Sequence, residues 1–278
     1  MRLDPQCVLC GTGPGPGRAR GALDGHGVLR VECAAGHRSA IVLLARRYEV
    51  LLRWAGESLL DGAAAEAVVA LAGALERAQE FYVRASSRAH GIAQPEIDSA
   101  WRGIAGQGGH AGQAGAFDIL FLIDTGSVVT PDGRMTALRD RVLDQWRGLR
   151  RASELGPLEA RPVPGSRPTG AHESVKASRR LARQHDAREF GEHVFARVEA
   201  VERALDRLPG AAAAEGEHEL RTELESIPMG TRLTLFAPTP ASPNAWPISA
   251  ESFADYLVQL PRWRYAPSAE PRTLLPDR

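Results

Sequence analysis

Apolar positions along this chain recur mostly every three or four residues and alternate in only a few short runs, a pattern that predicts a mainly α protein. Tyr48, Leu51, Leu52, Ala55 and Leu59 predict a helix over 46–62. Val68, Leu71, Leu75, Ala78 and Tyr82 predict a second over 63–87, with Ala64 and Ala67 permitting close approach. Asp61 and Gly62 interrupt the pattern, and Asp61 is the expected N-cap of the second helix. The short connection implies an antiparallel pair. Leu138, Val142, Leu143 and Trp146 mark a helix over 135–149. Phe190, Val194, Val198, Val201 and Leu205 mark a long one over 174–208, ended by Pro209 and Gly210. Leu220 and Leu224 keep helical spacing within the acidic run 217–225, and a short helix is expected over 251–260. Strand-like runs cover 28–32, 38–44 and 232–236, the first two flanking a turn at Cys33-Ala-Ala-Gly-His37.

Other stretches are punctuated rather than periodic. Pro95, Glu96, Ile97 and Trp101 suggest a short helix, but six glycines between Gly103 and Gly115 predict a loop. Phe117 to Ile123 reads as a buried helix or a strand, with a helix start near Gly115. Four prolines and three glycines over 156–170 predict a linker. The expected architecture is therefore a mainly α, bundle-like domain over 46–208. It is preceded by a small zinc-ribbon-like β module over 1–45 and followed by a C-terminal extension over 209–278, whose Trp246 and Trp263 would anchor it across the body.

Composition narrows the classes. The 278 residues carry 34 basic and 34 acidic side chains, so overall charge gives no argument for DNA or an anionic membrane. Aromatics are 6%, which leaves the core to Leu, Val and Ala. No run resembles a signal peptide or a membrane span, and the expected location is the cytoplasm. The glycine-rich stretch lacks the strand-then-helix context and the lysine of a phosphate loop, so no nucleotide cofactor is expected.

All three cysteines, Cys7, Cys10 and Cys33, lie near the start. An odd, clustered set is a poor disulfide framework and a better metal set. Cys7-Val-Leu-Cys10-Gly11 has the spacing of a zinc knuckle. Cys33 and His37 are the second pair, with His26 competing for the place of His37. Four such donors suit a closed, structural zinc site. Elsewhere, Glu76 and Glu80 share a helix face, with Glu57 and Glu66 nearby, but the Glu-x-x-His repeats of a di-metal bundle are missing. Salt bridges are the expected role of these glutamates, with Arg77 or Arg84 as partners.

Several phrases resemble a group of bacterial and prophage proteins whose helical body is related to the HEPN superfamily. They are Cys33-Ala-Ala-Gly-His37, Tyr48-Glu-Val-Leu-Leu52, Leu60-Asp-Gly62, Glu66-Ala-Val68, Leu75-Glu-Arg-Ala-Gln-Glu-Phe-Tyr82, Asp124-Thr-Gly126 and Ala187-Arg-Glu-Phe-Gly-Glu-His-Val194. The resemblance implies a setting in bacterial defence or mobile elements. Active members of that superfamily are metal-independent ribonucleases, often dimeric, with an arginine, a polar residue and a later histidine on one helix. Arg180-Leu-Ala-Arg-Gln-His185 has the arginine-to-histidine spacing but carries Leu181 where the polar residue belongs. In that reading His185 would serve as base for a 2'-hydroxyl, Arg180 or Arg179 would hold the phosphate, and the run Lys176, Arg179, Arg180, Arg183 and Arg188 would attract RNA. A solvated helix face accounts for the same residues, because Asp186, Glu189 and Glu192 balance them. The preferred expectation is a non-enzymatic interaction or regulatory protein with a protein partner or self-association. The alternative is a HEPN-like ribonuclease.

Overall fold

The computed structural model describes residues 10, 19–23, 28–33, 35–107, 109–128, 137, 170–228, 231–240, 250–260 and 263–267. The protein is mainly helical, with a small sheet. Its centre is an antiparallel pair, α1 (Arg47–Leu60) and α2 (Ala64–Ala89). Ala67, Ala74 and Ala78 of α2 are fully buried, and their small side chains let neighbouring helices approach. Tyr48, Leu52, Ala55 and Leu59 of α1 meet Val68, Leu71, Leu75, Phe81 and Tyr82 of α2 in one continuous core. Asp61 does not cap α2 as expected. It closes α1 by donating its N–H to the Glu57 carbonyl. Gly62 then takes the left-handed φ of +81° that turns the chain, and Ala63 becomes the residue before α2.

The glycine-rich stretch is also not a loop. It forms the end of α3 (Gln94–Gln107) and the start of α4 (Gly109–Thr125). Ile97, Trp101, Phe117 and Phe121 are buried, and their packing outweighs the roughly 1 kcal/mol that each glycine costs a helix. The helix expected at 174–208 runs as α5 (Gly170–Leu205), with Phe190, Val194, Val198 and Val201 against α1 and α2. The alanine run and the acidic run join in a single α6 (Pro209–Glu225). Helix α7 (Phe253–Gln259) lies against α1 and α5. It fits because Gly191 faces the Phe253 ring and Gly56 faces Leu260, so that a Cβ at either position would overlap its neighbour. Glu192 is exposed, as expected, and also accepts from the N–H groups of Phe253 and Ala254 at 2.9 and 3.0 Å, capping α7.

Both ends of the chain contribute to one sheet. Its order is β1 (Ala19–Leu23), β2 (Val28–Cys33), β3 (Arg38–Leu43), β4 (Arg232–Pro240), β5 (Trp263–Pro267). Neighbours are antiparallel except β3 and β4, which run parallel from Ser39 beside Arg232 to Leu43 beside Phe236. Strands β1 and β5 have no counterpart in the hydrophobic pattern. One face of the sheet packs Leu29, Val31, Ile41 and Leu43 on Val50 of α1. The other packs Val28, Ala40 and Val42 against Leu220, Leu224 and Ile227. The helix expected over 135–149 lies outside the described residues apart from Ala137, as do the linker at 156–169 and Trp246. Among the described residues, no helix is long and apolar enough to cross a membrane.

Candidate metal centre

The turn between β2 and β3 is built to converge two donors. Gly36 adopts φ +78° and donates its N–H to the Cys33 carbonyl at 2.9 Å. The Cys33 N–H closes on the His37 carbonyl at 3.0 Å. A side chain at position 36 would strain this reversal. Its result is that Cys33 Sγ stands 3.5 Å from His37 Nδ1. Cys10 enters from the N-terminal side, with its Sγ 3.7 Å from Cys33 Sγ and 3.4 Å from His37 Nδ1. Cys33 is buried, His37 half-buried and Cys10 exposed.

These distances discriminate between chemistries. A disulfide needs its sulfurs about 2.05 Å apart, and the observed pair is far outside that. Zinc bonds sulfur at about 2.3 Å and imidazole nitrogen at about 2.0 Å. A tetrahedron of those bonds has S···S edges of about 3.8 Å and S···N edges of about 3.5 Å. The three observed separations match one triangular face of such a tetrahedron. The donors, two soft sulfurs and one borderline nitrogen, belong to the same class of ion. The residues therefore fit a metal of the zinc type. Cys7 and His26, the further candidates from the sequence, lie outside the described residues. Of the two histidines considered, His37 is placed among the donors.

The arginine–histidine pair has a different setting. Both residues lie on α5, five positions apart, which separates them by about 140° around the helix axis. His185 is exposed, and the side chain of Arg180 is outside the described residues. Of the expected glutamate ion pairs, Arg77 with Glu80 is present, while Glu57 pairs at 3.0 Å with Arg53, a partner not expected from the sequence.

Three polar clusters escaped the hydrophobic pattern. In the first, Glu215 of α6 is fully buried and receives Arg84 Nε at 2.6 Å and Arg88 Nη2 at 2.9 Å. Arg84 also pairs with Asp98, which Gln94 supports at 2.9 Å. In the second, the Tyr82 hydroxyl donates to Asp124 at 2.7 Å, and His90 Nε2 lies 2.9 Å from the other oxygen of that carboxylate. Burial alone would raise the Asp124 carboxyl, but the donors around it, Tyr82 and His90 among them, hold it below the usual range. In the third, Arg46 Nη1 donates to Tyr48 at 2.6 Å and to Glu202 at 2.8 Å, and Tyr48 also donates to Glu202. Glu49 closes the start of α1 on the Arg46 N–H, and burial pushes its carboxyl up to about 7. The sequence did carry one signal, because Glu215, Glu219 and Glu223 recur every four residues along one side of α6. The first cluster ties α6 to α2 and α3, the second ties α4 to α2, and the third ties α5 to the start of α1.

Comparison with family models, with curated proteins and with solved structures found no match to this chain.

Proposed function

We propose that this chain is a zinc-held interaction or regulatory protein whose metal is structural. One observation carries the reading: Cys10, Cys33 and His37 present their donor atoms at the edge lengths of a zinc tetrahedron, on a hairpin that fits no catalytic pattern. Cys7, three residues before Cys10, is the fourth donor of the proposal and closes the site against substrate. The ion supplies a cross-link between the N-terminal segment and the β2–β3 turn. Bacterial defence or mobile elements are the setting that the resemblance suggests.

Elemental analysis of the purified protein tests this directly. One zinc per chain is expected, with loss of the ion in Cys33→Ser and in Cys10→Ser. A fully folded, metal-free wild type ends the proposal. The non-enzymatic part has its own test, incubation with structured and unstructured RNA in the presence of a chelator. Cleavage by the wild type that disappears in His185→Ala would replace the interaction reading with the ribonuclease one.

A further inference from the structure

Helix α4 has two unlike sides. Phe117 and Phe121 turn inward onto Tyr82, with ring centroids 5.5 Å from it. On the outward side Ile119 and Ile123 are each 62% exposed and Leu122 is 45% exposed, and Val128 just beyond the helix is 60% exposed. Gly115, Ala116 and Gly126 continue the same arc. The two charged residues between 112 and 126 leave that arc bare. Asp124 is held by Tyr82 and His90, and Asp118 interacts with Arg197 of α5. The four large side chains expose on the order of 400 Å² of apolar surface, the size of patch that on a monomer is usually functional.

The order of residues along the helix selects the occupant. Gly115 and Ala116 make the outward side of its first half narrow, and a Cβ at Gly115 would meet open space, whereas Gly112 faces Ile104 of α3. Ile119, Leu122 and Ile123 make its second half broad. A face that is narrow at one end and broad at the other complements itself when two copies cross antiparallel about a two-fold axis. The broad half of one copy then lies over Gly115 and Ala116 of the other. Such an isologous contact counts the patch twice. With the flanking backbone it reaches about 1,000 Å², the lower bound of a specific interface. The arc carries no charge that would select a charged partner.

We propose that the outward side of α4 is a self-association surface, on which a second copy of this chain packs with its own α4 antiparallel. The proposal is independent of the metal centre, and the zinc-loaded full-length protein serves for its test.

Sedimentation velocity over a concentration series should show a monomer–dimer equilibrium. Ile119→Glu combined with Ile123→Glu places like charges in the contact and should weaken association at least about tenfold. Gly115→Leu supplies a second, opposite control. It removes a glycine from a helix, so the helical signal and melting temperature should hold or rise. It also fills the space that receives the partner's Ile123, so association should still weaken. A photo-crosslinking benzoylphenylalanine at position 119 should join two chains. A wild type that stays monomeric at every concentration overturns the proposal, as do variants that associate like the wild type. Cross-links from position 119 to residues 135–149 of the same chain would also overturn it, naming that segment as the occupant.

Discussion

The helical core and the sheet with the candidate metal centre draw on different sources of stability. The core joins α1, α2, α5 and α7 through more than a score of buried apolar side chains, several of them large rings. The sheet has two thin clusters, Leu29, Val31, Ile41, Leu43 and Val50 on one face and Val28, Ala40 and Val42 on the other. At about 25 cal/mol per Å² of apolar surface, the first supports itself, whereas the second needs its strand partners and a cross-link. The difference teaches where the molecule should yield first. The proposed metal at Cys10, Cys33 and His37 would clamp the turn that starts β3, and β3 is the strand on which β4 pairs.

The largest predicted effect breaks that comparison open. Removing the metal with a chelator, or with Cys33→Ser, should raise hydrogen exchange across 28–43 and 232–240 while 64–89 stays protected. Structural zinc is worth on the order of 10 kcal/mol to small modules, so the change in the sheet should be near complete. Equal loosening of α2 would show that the two regions fold as one unit and cancel the contrast drawn above.

Within the core the polar clusters are the next points of failure. Glu215→Leu leaves Arg84 and Arg88 buried without their carboxylate and should cost about 3–5 kcal/mol in chemical denaturation. Adding Arg84→Met should return part of that loss, because the unpaired charge rather than the lost pair carries most of the cost. A smaller effect is expected at the α7 seat. Gly191→Ala forces the rigid ring of Phe253 aside and should cost about 1–3 kcal/mol. Gly56→Ala overlaps the flexible end of Leu260, with Leu257 and Tyr256 nearby, and should cost less. Melting temperatures of the two variants give the ranking, and the reverse order would refute this account of how α7 is held.

Which parts of this could be read from the sequence follows from the same contrast. Amphipathic helices announce themselves locally, so α1, α2 and the apolar part of α5 fall close to their expected bounds. The cysteine and histidine spacing also pointed to three donors that the structure brings together, Cys10, Cys33 and His37, because Cys33 and His37 are joined by a short turn. Long-range pairing leaves no local trace. β4 joins β3 across nearly the whole chain, and β5 looked like a proline-containing tail. The glycines of α3 and α4 pointed to a loop, since what keeps them helical is packing by Trp101, Phe117 and Phe121 elsewhere on those helices. Glu215 showed in the sequence only as one of three glutamates spaced four apart, and its burial was hidden for a related reason. Its partners, Arg84 and Arg88, lie on a helix distant in sequence, and an acidic run ordinarily faces solvent.

The smallest expected effect separates the two regions by pH. Glu219 of α6 is half-buried close to Glu215, Glu223 and Glu80, with Arg47 as the opposing charge, and desolvation pushes its carboxyl up to about 7. A carboxyl whose folded value lies above its unfolded value binds its proton more tightly in the native state. It therefore adds stability that is complete below about pH 4.5 and is lost as pH rises through about 7. Glu49, raised in the same direction by burial at the start of α1, adds to the trend. Asp124 runs the other way, since its lowered value adds stability above the ordinary carboxylate range, which is lost only as pH falls below it. Between pH 5 and 8 the two glutamates should dominate among these three, and the helical core should lose on the order of 1 kcal/mol per site. Glu219→Gln replaces the carboxyl with a neutral amide of the same shape. It should flatten the stability profile of α2 and α6 and stabilise the protein at pH 8. A metal site responds in the opposite sense, because protons compete with zinc for Cys10, Cys33 and His37 and acid loosens the sheet. Hydrogen exchange at pH 5 and pH 8, corrected for intrinsic rates, should therefore show the helices firmer in acid and the sheet firmer in base. Parallel changes in both regions would leave the proposed division of stability without support.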